Sequence, residues 1–300
     1  MTETIYKALH NVSRERLERY VKLIEGLRHG YENYEDLTKR AILIEDIFNS
    51  FGLTVRRQDF TFFKKIYRNI IATKSNHDSL PYYLIGAHYD SAWGSPGADD
   101  NASGVAVLLE AADILSKLEL RHTIQFVAFT LEEPQPQTLN FLIGSSYFVE
   151  EAKKAGVKYD AVFILESVGY TDDKVGSQTL PILISKKISN IGNFLAVIAN
   201  KRSKILMEHF TNITSKLVPE LPVYSYKVPL SGRLIPETRF SDHAPFWNKN
   251  YPAVMLTDTA MFRNPHYHTF HDTIDTLDFS FIEKVTKALI SVIISLDNNL

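Results

Sequence analysis

Residues 122–130 read HTIQFVAFT, and residues 80–87 read LPYYLIGA. Both runs are almost unbroken in apolar residues and rich in β-branched and aromatic side chains. That is the pattern of strands covered on both faces of a sheet. Between them, residues 102–118 (ASGVAVLLEAADILSKL) carry a strong helical pattern. A further helix is expected over about 144–155, followed by a third apolar run, AVFILE, at 161–166. Strand, helix, strand, helix, strand implies strands laid mostly parallel with helices on both sides. The chain therefore reads as α/β, a three-layer αβα sandwich with a mixed, mostly parallel central sheet.

Outward from this centre the signals weaken. Leu17, Tyr20, Val21, Ile24 and Leu27 fall at helical spacing over 14–27, with Gly30 as the expected stop. A second helix is expected over 33–51, then strands at 53–63 and 67–73. Residues 171–241 break the rhythm. A short strand at 181–185 and one or two helices around 189–217 are expected there, then a loop carrying Pro219, Pro222, Pro229 and Pro236. This stretch reads as an insertion over the sheet edge, a lid in character. Residues 254–256 resume the strand pattern. A last helix over about 280–296 has Ser280 and Glu283 in capping-box spacing. No repeat or linker divides the chain, so one unit over 1–300 is expected.

The 300 residues suffice for a sizeable core, and 45% hydrophobic with 23% charged residues is ordinary globular usage. With a net charge of -2 and no basic stripe, nucleic acid is not an expected partner. No run reaches the roughly 18 apolar residues that span a bilayer, so no membrane partner is expected either. The first thirty residues carry charges throughout and lack the apolar core of a secretory signal. A cytoplasmic location is the expectation. There is no cysteine, so any metal must be held by histidine and carboxylate.

Five short motifs carry the chemistry. GAHYDS (86–91) ends a buried strand, and its His88 and Asp90 point to one face. A carboxylate so placed holds one ring nitrogen and presents the other to a metal; alone, the pair also reads as a strand-end turn. PGADDNASG (96–104) lies between that strand and the next helix, where ligands of α/β sheets collect. Helix capping would use one of its aspartates, not two. Leu131-Glu132-Glu133 follows the HTIQFVAFT strand. In isolation an acidic pair is a solvated turn; in a metal site, one glutamate ligates and the other reaches a bound water. Glu166 ends AVFILE, where a carboxylate needs a partner, a metal or an exit to solvent. Residues 264–273 (NPHYHTFHDT) hold three histidines. Together these nitrogen and oxygen donors suit a pair of zinc ions.

With GSSYF (144–148), LES (165–167) and SDHAPFW (241–247), these motifs make residues 86–273 resemble the M28 zinc peptidases, the clan of bacterial secreted aminopeptidases and glutaminyl cyclases. The resemblance implies a metal set of His88, Asp100, Glu133, Glu166 and His268, with Asp100 bridging two zincs. It implies Glu132 as general base, Asp90 as the partner of His88, and Tyr267 as a group that polarises the substrate carbonyl. A cis peptide in the Asp99–Asp100 stretch is implied as well. Glu166 stands where Asp is usual in the family and keeps an oxygen ligand. The segment PQPQTLNFLI (134–143) is nearer the cyclase-like branch.

The activity implied is hydrolysis of N-terminal residues from peptides with a free N-terminus, through a zinc-bridging water and Glu132. The rival is glutaminyl-peptide cyclisation on a single zinc, with Asp242 as its acid partner. The intact Asp99-Asp100 pair and Asn101 favour hydrolysis. A non-catalytic binding domain is the remaining alternative, and the complete ligand set argues against it. Residues 219–241 are expected to form one wall of the substrate pocket, with Tyr226 and Leu234 among its apolar lining. Arg233 or Arg239 is expected to meet a peptide carbonyl or carboxylate.

Overall fold

The computed structural model describes residues 2–76, 81–136, 138, 140–181, 184 and 188–298. Eight strands form one sheet: β1 (Thr54–Phe62), β2 (Lys65–Lys74), β3 (Tyr82–His88), β4 (Ile124–Phe129), β5 (Tyr159–Glu166), β8 (Leu195–Ala199), β9 (Val223–Lys227) and β10 (Ala253–Thr257). A small pair, β6 (Asp172–Val175) and β7 (Ile191–Gly192), stands apart. The order across the large sheet is β1-β2-β4-β3-β5-β10-β8-β9. The four central strands β4, β3, β5 and β10 run parallel. The β1–β2 hairpin joins β4 antiparallel, and β8 joins β10 antiparallel.

Period-2 alternation divides the core into two layers. Ala161, Phe163 and Leu165 of β5 enter one cluster; Val162 and Ile164 enter the other. The larger cluster lies under α2 (Arg14–Ile24), α3 (Tyr34–Ser50), α4 (Gly104–Ser116), α6 (Lys204–Leu217) and α8 (Phe279–Asn298). The smaller is covered by α5 (Ile143–Lys154) and α7 (His243–Asn248). The expected αβα sandwich with its mixed, mostly parallel sheet is what the chain forms.

Several local expectations are corrected. Residues 195–199 (LAVIA) are strand, not helix, because a fully buried five-residue run is too short for a helix and fits between β10 and β9. With β9, it makes part of the expected insertion at 171–241 an ordinary section of the sheet. The strand expected at 181–185 falls mostly outside the described residues. A helix α1 (Thr2–His10), not anticipated, sets Ile5, Ala8 and Leu9 in the core beside α8. Helix α2 stops at Ile24, so Gly30 does not end it. Gly30 instead allows close approach, since a Cβ there would stand 2.2 Å from Leu131 Cδ2. The cap of α8 is Asp278, whose Oδ1 accepts from the amides of Ser280 and Phe281, rather than Ser280.

Helix α2 is fastened to α4 by a buried carboxylate. Glu110 accepts from the Ser13 amide at 2.8 Å and from Arg16 Nε and Nη2 at 2.9 and 2.6 Å. Arg16→Ala removes the only cation that pairs with this fully buried group among the described residues. A loss of about 3 kcal/mol in chemical denaturation is expected; a loss below about 1 kcal/mol would show that Glu110 is satisfied without it.

The parallel register decides where the site forms. His88 pairs with Phe129, and Ala87 with Leu165, so β3, β4 and β5 end together at one edge. Their exits deliver His88, Glu132-Glu133 and Glu166 side by side. No helix among the described residues is long and apolar enough to cross a membrane.

Candidate metal centre

His88 is the last residue of β3 and fully buried. Its Nδ1 lies 3.5 Å from Asp90 Oδ1. Asp90 does a second thing: its two oxygens accept the amides of Glu132 and Glu133, each at 3.1 Å. One carboxylate thus sets both the ring of His88 and the turn carrying the glutamates, with Leu131 in the left-handed region (φ 53). The other face of His88 looks inward. From Nε2, Asp100 Oδ1 is 3.2 Å away, Glu166 Oε2 3.5 Å and Glu132 Oε2 3.9 Å.

Asp100 sits in an irregular turn before α4. The cis peptide lies between Asp100 and Asn101, one bond beyond the Asp99–Asp100 pair. Neighbours hold the turn from every side. Asp272 accepts from the amides of Asp99 and Asp100 at 2.8 and 3.1 Å. Asn101 donates to the Leu165 carbonyl and accepts from the Ser167 amide. Asp99 accepts from Gly169 N and Asn264 Nδ2, so it braces the turn and takes no part in the ligand cluster. Arg28, fully buried, donates to the carbonyls of Tyr89, Gly26, Pro96 and Gly97. Burial lowers its pKa to about 10, with Asp272 and Asp90 sustaining the charge. Gly97 has φ 62, and a Cβ there would meet the Asp100 carbonyl at 2.3 Å.

The second oxygen of Asp100 serves a second group. Oδ2 is 3.0 Å from His268 Nε2, and Glu133 Oε2 is 3.2 Å from the same nitrogen. His268 adopts φ 57, and Tyr267 stacks on its ring at 3.8 Å between centroids. The His268 side chain is 34% exposed while His88 is wholly enclosed, so one half of the cluster opens to solvent. His88, Asp100 and Glu166 form one triad of donors, and Asp100, Glu133 and His268 form another.

These donors fit metal ions. Ligand atoms about 2.0–2.1 Å from a tetrahedral zinc stand about 3.3 Å from one another, and the contacts within each triad cluster around that spacing. Both nitrogens of His88, Asp100 Oδ1 and Glu133 Oε1 are buried without a hydrogen-bond partner among the described residues. A native interior leaves such atoms orphaned only where something else satisfies them.

The electrostatics agree. Burial raises Glu132 well above the carboxylate range, His88 opposes this, and the charges of Glu166, Glu133 and Asp242 add to it. Burial and the Asp100 charge push Glu133 up to about 7. Burial also raises Glu166, whose Oε2 accepts from Ser241 Oγ at 2.7 Å. Asp242 is pushed up to about 7 by burial, against His88, and neither of its oxygens meets a donor with hydrogen-bond geometry. Burial works against protonated His268, but Glu133 and Asp100 lift it to about 11. Only Asp100, between two imidazoles, is held well below its usual range. Four carboxylates face two imidazoles in this cluster, an excess of negative charge that a bound cation would offset.

Beside the donors lies an apolar pocket. Glu166 and Tyr267 belong to its wall, with Phe194, Ile198, Tyr226 and Met255 deeper in. Residues 219–241 supply Tyr224, Tyr226, Glu237, Thr238 and Phe240 to it. Leu234 does not reach it: its side chain is 53% exposed, because Ile235 turns into the core in its place. Arg233 and Arg239 line a separate groove. Sequence reasoning gave no role to Asp272, Arg28 or Ser241. Asp272 was visible in the histidine motif, whereas nothing near Arg28 marks a helix-exit arginine as a partner of a turn seventy residues away.

The chain matches the description of Peptidase family M28 over residues 69–293. It belongs to that family. An Escherichia coli relative, the uncharacterized protein YfbL, is 34% identical over 94% of this chain and 88% of its own length. A probable leucine aminopeptidase of Arthroderma otae is 26% identical over 93% of this chain and 71% of its own length. Among solved structures, the Legionella pneumophila LapA aminopeptidase shares the fold with TM-score 0.80 at 18% identity, covering all of this chain and 76% of that one. The Porphyromonas gingivalis glutaminyl cyclase shares it with TM-score 0.69 at 20% identity, over 95% and 99% of the two chains. An aminopeptidase and a glutaminyl cyclase thus both share this chain's fold, so the fold does not separate the two activities.

Proposed function

We propose that the protein is a two-zinc aminopeptidase acting on peptides with a free N-terminus and an apolar first residue. The observation that carries this is Asp100, whose two oxygens face different histidines in two donor triads. His88, Asp100 and Glu166 would hold one zinc; Asp100, Glu133 and His268 the other. When bound, such a pair supplies Lewis acidity and a water acidified toward neutral pH. Membership of M28 and the name of the Arthroderma relative support the aminopeptidase reading.

The chain's own residues divide the remaining work. Glu132 faces the cluster without belonging to either triad, so it is free to take a proton from the attacking water and give it to the leaving amine. Asp90, 3.5 Å from His88 Nδ1, would steady the imidazole that presents Nε2 to the metal. Tyr267 keeps its proton, its pKa raised by burial and by the charges of Asp100 and Glu133, and it serves as a neutral donor to the developing oxyanion. The apolar pocket receives the first side chain. Glu166 and Glu237 on its wall favour an adjacent ammonium group.

The cyclase reading draws support from Asp242, buried with no donor on either oxygen. A panel of aminoacyl-anilides and a Gln-initiated peptide separates the two, read together with elemental analysis. Hydrolysis of apolar anilides with two metals per chain is expected; one tight metal and a pyroglutamyl product would reverse the assignment. In the same panel, Tyr226→Ala should reduce the preference for leucyl over alanyl anilide about tenfold, the scale of lost apolar pocket contact. An unaltered preference would remove Tyr226 from the pocket's role.

A further inference from the structure

The segment after Glu133 and the segment before Ser241 face one another across a second groove. Phe141, Leu142 and Ser146 form one side; Arg233, Pro236 and Arg239 form the other. Phe240 borders both this groove and the apolar pocket, and its ring meets Phe141 edge to face at 6.0 Å. The groove lies on the Glu132 side, because the Leu142 amide donates to the Glu132 carbonyl at 2.8 Å. The apolar pocket instead takes Glu166 and Tyr267 into its wall. The two recesses thus share a wall at Phe240, one taking in Glu166 and Tyr267 and the other adjoining the backbone of the Glu132 turn.

Charge gives this groove its character. Arg239 donates to the Ser231 carbonyl at 2.6 Å and to Asn248 Oδ1 at 2.8 Å, both neutral acceptors. Arg14, Arg16, Arg57 and Arg68 pair with carboxylates, whereas neither groove arginine forms an ion pair among the described residues. Partial burial and the charge of Arg233 both lower the pKa of Arg239, so the two guanidiniums repel each other. In a molecule of net charge -2, two neighbouring cations without a paired carboxylate on one wall of a groove suit an anion.

We propose that this groove receives the leaving fragment of the substrate and that Arg233 and Arg239 hold its C-terminal carboxylate. Short peptides with a free C-terminus are then the preferred substrates. The inference rests on the peptidase reading above. An acidic side chain in a longer peptide offers the same carboxylate chemistry, so the test includes both sources.

The test compares kcat/KM for Leu-Gly, Leu-Gly-Gly and Leu-Gly-Gly-Gly as free acids and as amides, together with Leu-Gly-Glu amide. It uses the metal-loaded full chain, Arg233→Ala, Arg233→Lys and the Arg233→Ala/Arg239→Ala pair. For at least one length the acid-to-amide ratio should be about tenfold or more, carried by KM, as charge-assisted bonds allow. It should fall toward one in the double variant and be partly kept by Arg233→Lys. Arg233 is exposed, so its variants are expected to fold whatever becomes of the double variant. A wild-type ratio near one at every length overturns the proposal, as does arginine dependence confined to Leu-Gly-Glu amide. If no peptide is cleaved, the peptidase reading fails by itself. Calorimetric binding of Leu-Gly-Gly against its amide then decides the groove: tighter binding of the acid, lost in Arg233→Ala, sustains it, and equal binding overturns it.

Discussion

Glu132→Gln is expected to keep the protein's metal and lose kcat by about 10²-fold or more. Glu132 Oε2 comes only to 3.9 Å from His88 Nε2, whereas the donors of the two triads approach the histidines at 3.0–3.5 Å. The backbone of its turn is set by Asp90, which accepts from its amide, so the amide side chain of Gln leaves the turn in place. What is lost is a group able to accept and return a proton. Its neighbour behaves oppositely: Glu133→Gln should release metal, since Glu133 Oε2 stands within the second triad. Elemental analysis beside single-turnover kinetics checks both. Equal metal loss in the two variants would refute the division of roles.

Asp100→Asn should have the larger effect on metal. Asp100 is the one residue common to both triads, so one substitution weakens two sites. The variant also leaves Glu133 and Glu166 facing imidazoles that lose their nearest neighbouring anion, since Asp100 oxygens lie 3.2 Å from His88 Nε2 and 3.0 Å from His268 Nε2. Metal content should fall below one ion per chain and activity by about 10³-fold or more, the several kcal/mol that metal-assisted charge stabilisation supplies. His268→Ala should instead remove one ion and spare the enclosed triad around His88. Retention of two ions by Asp100→Asn would sink the bridging assignment.

How much of this was legible in the sequence follows from how local each signal is. The central strands announced themselves through unbroken apolar runs, because a strand covered on both faces has no polar side to show. The candidate donors were legible for a related reason: parallel strands release their next residues at one edge, so strand-end His88 and Glu166 and the Glu132-Glu133 pair converge there. LAVIA was misplaced because the five residues that form β8 are too few for period 2 or 3.6 to show. Leu234 was misjudged since composition cannot tell which of two adjacent apolar residues turns inward; Ile235 does. Arg28 was invisible because its partners are main-chain carbonyls, which leave no mark in side-chain pattern.

Asp272 gives the centre an order in time. Its carboxylate holds the amides of Asp99 and Asp100 from 173 and 172 positions further along the chain. Ribosomal synthesis, at roughly 5–20 residues per second, delivers His88, Asp100, Glu133 and Glu166 first. About a hundred residues then separate them from His268 and the aspartate that fixes the bridging turn. The enclosed triad has all its donors early, while the solvent-facing triad waits for His268, about a hundred residues after Glu166. An unfinished chain thus carries most of the acidic cluster but lacks the means to complete it.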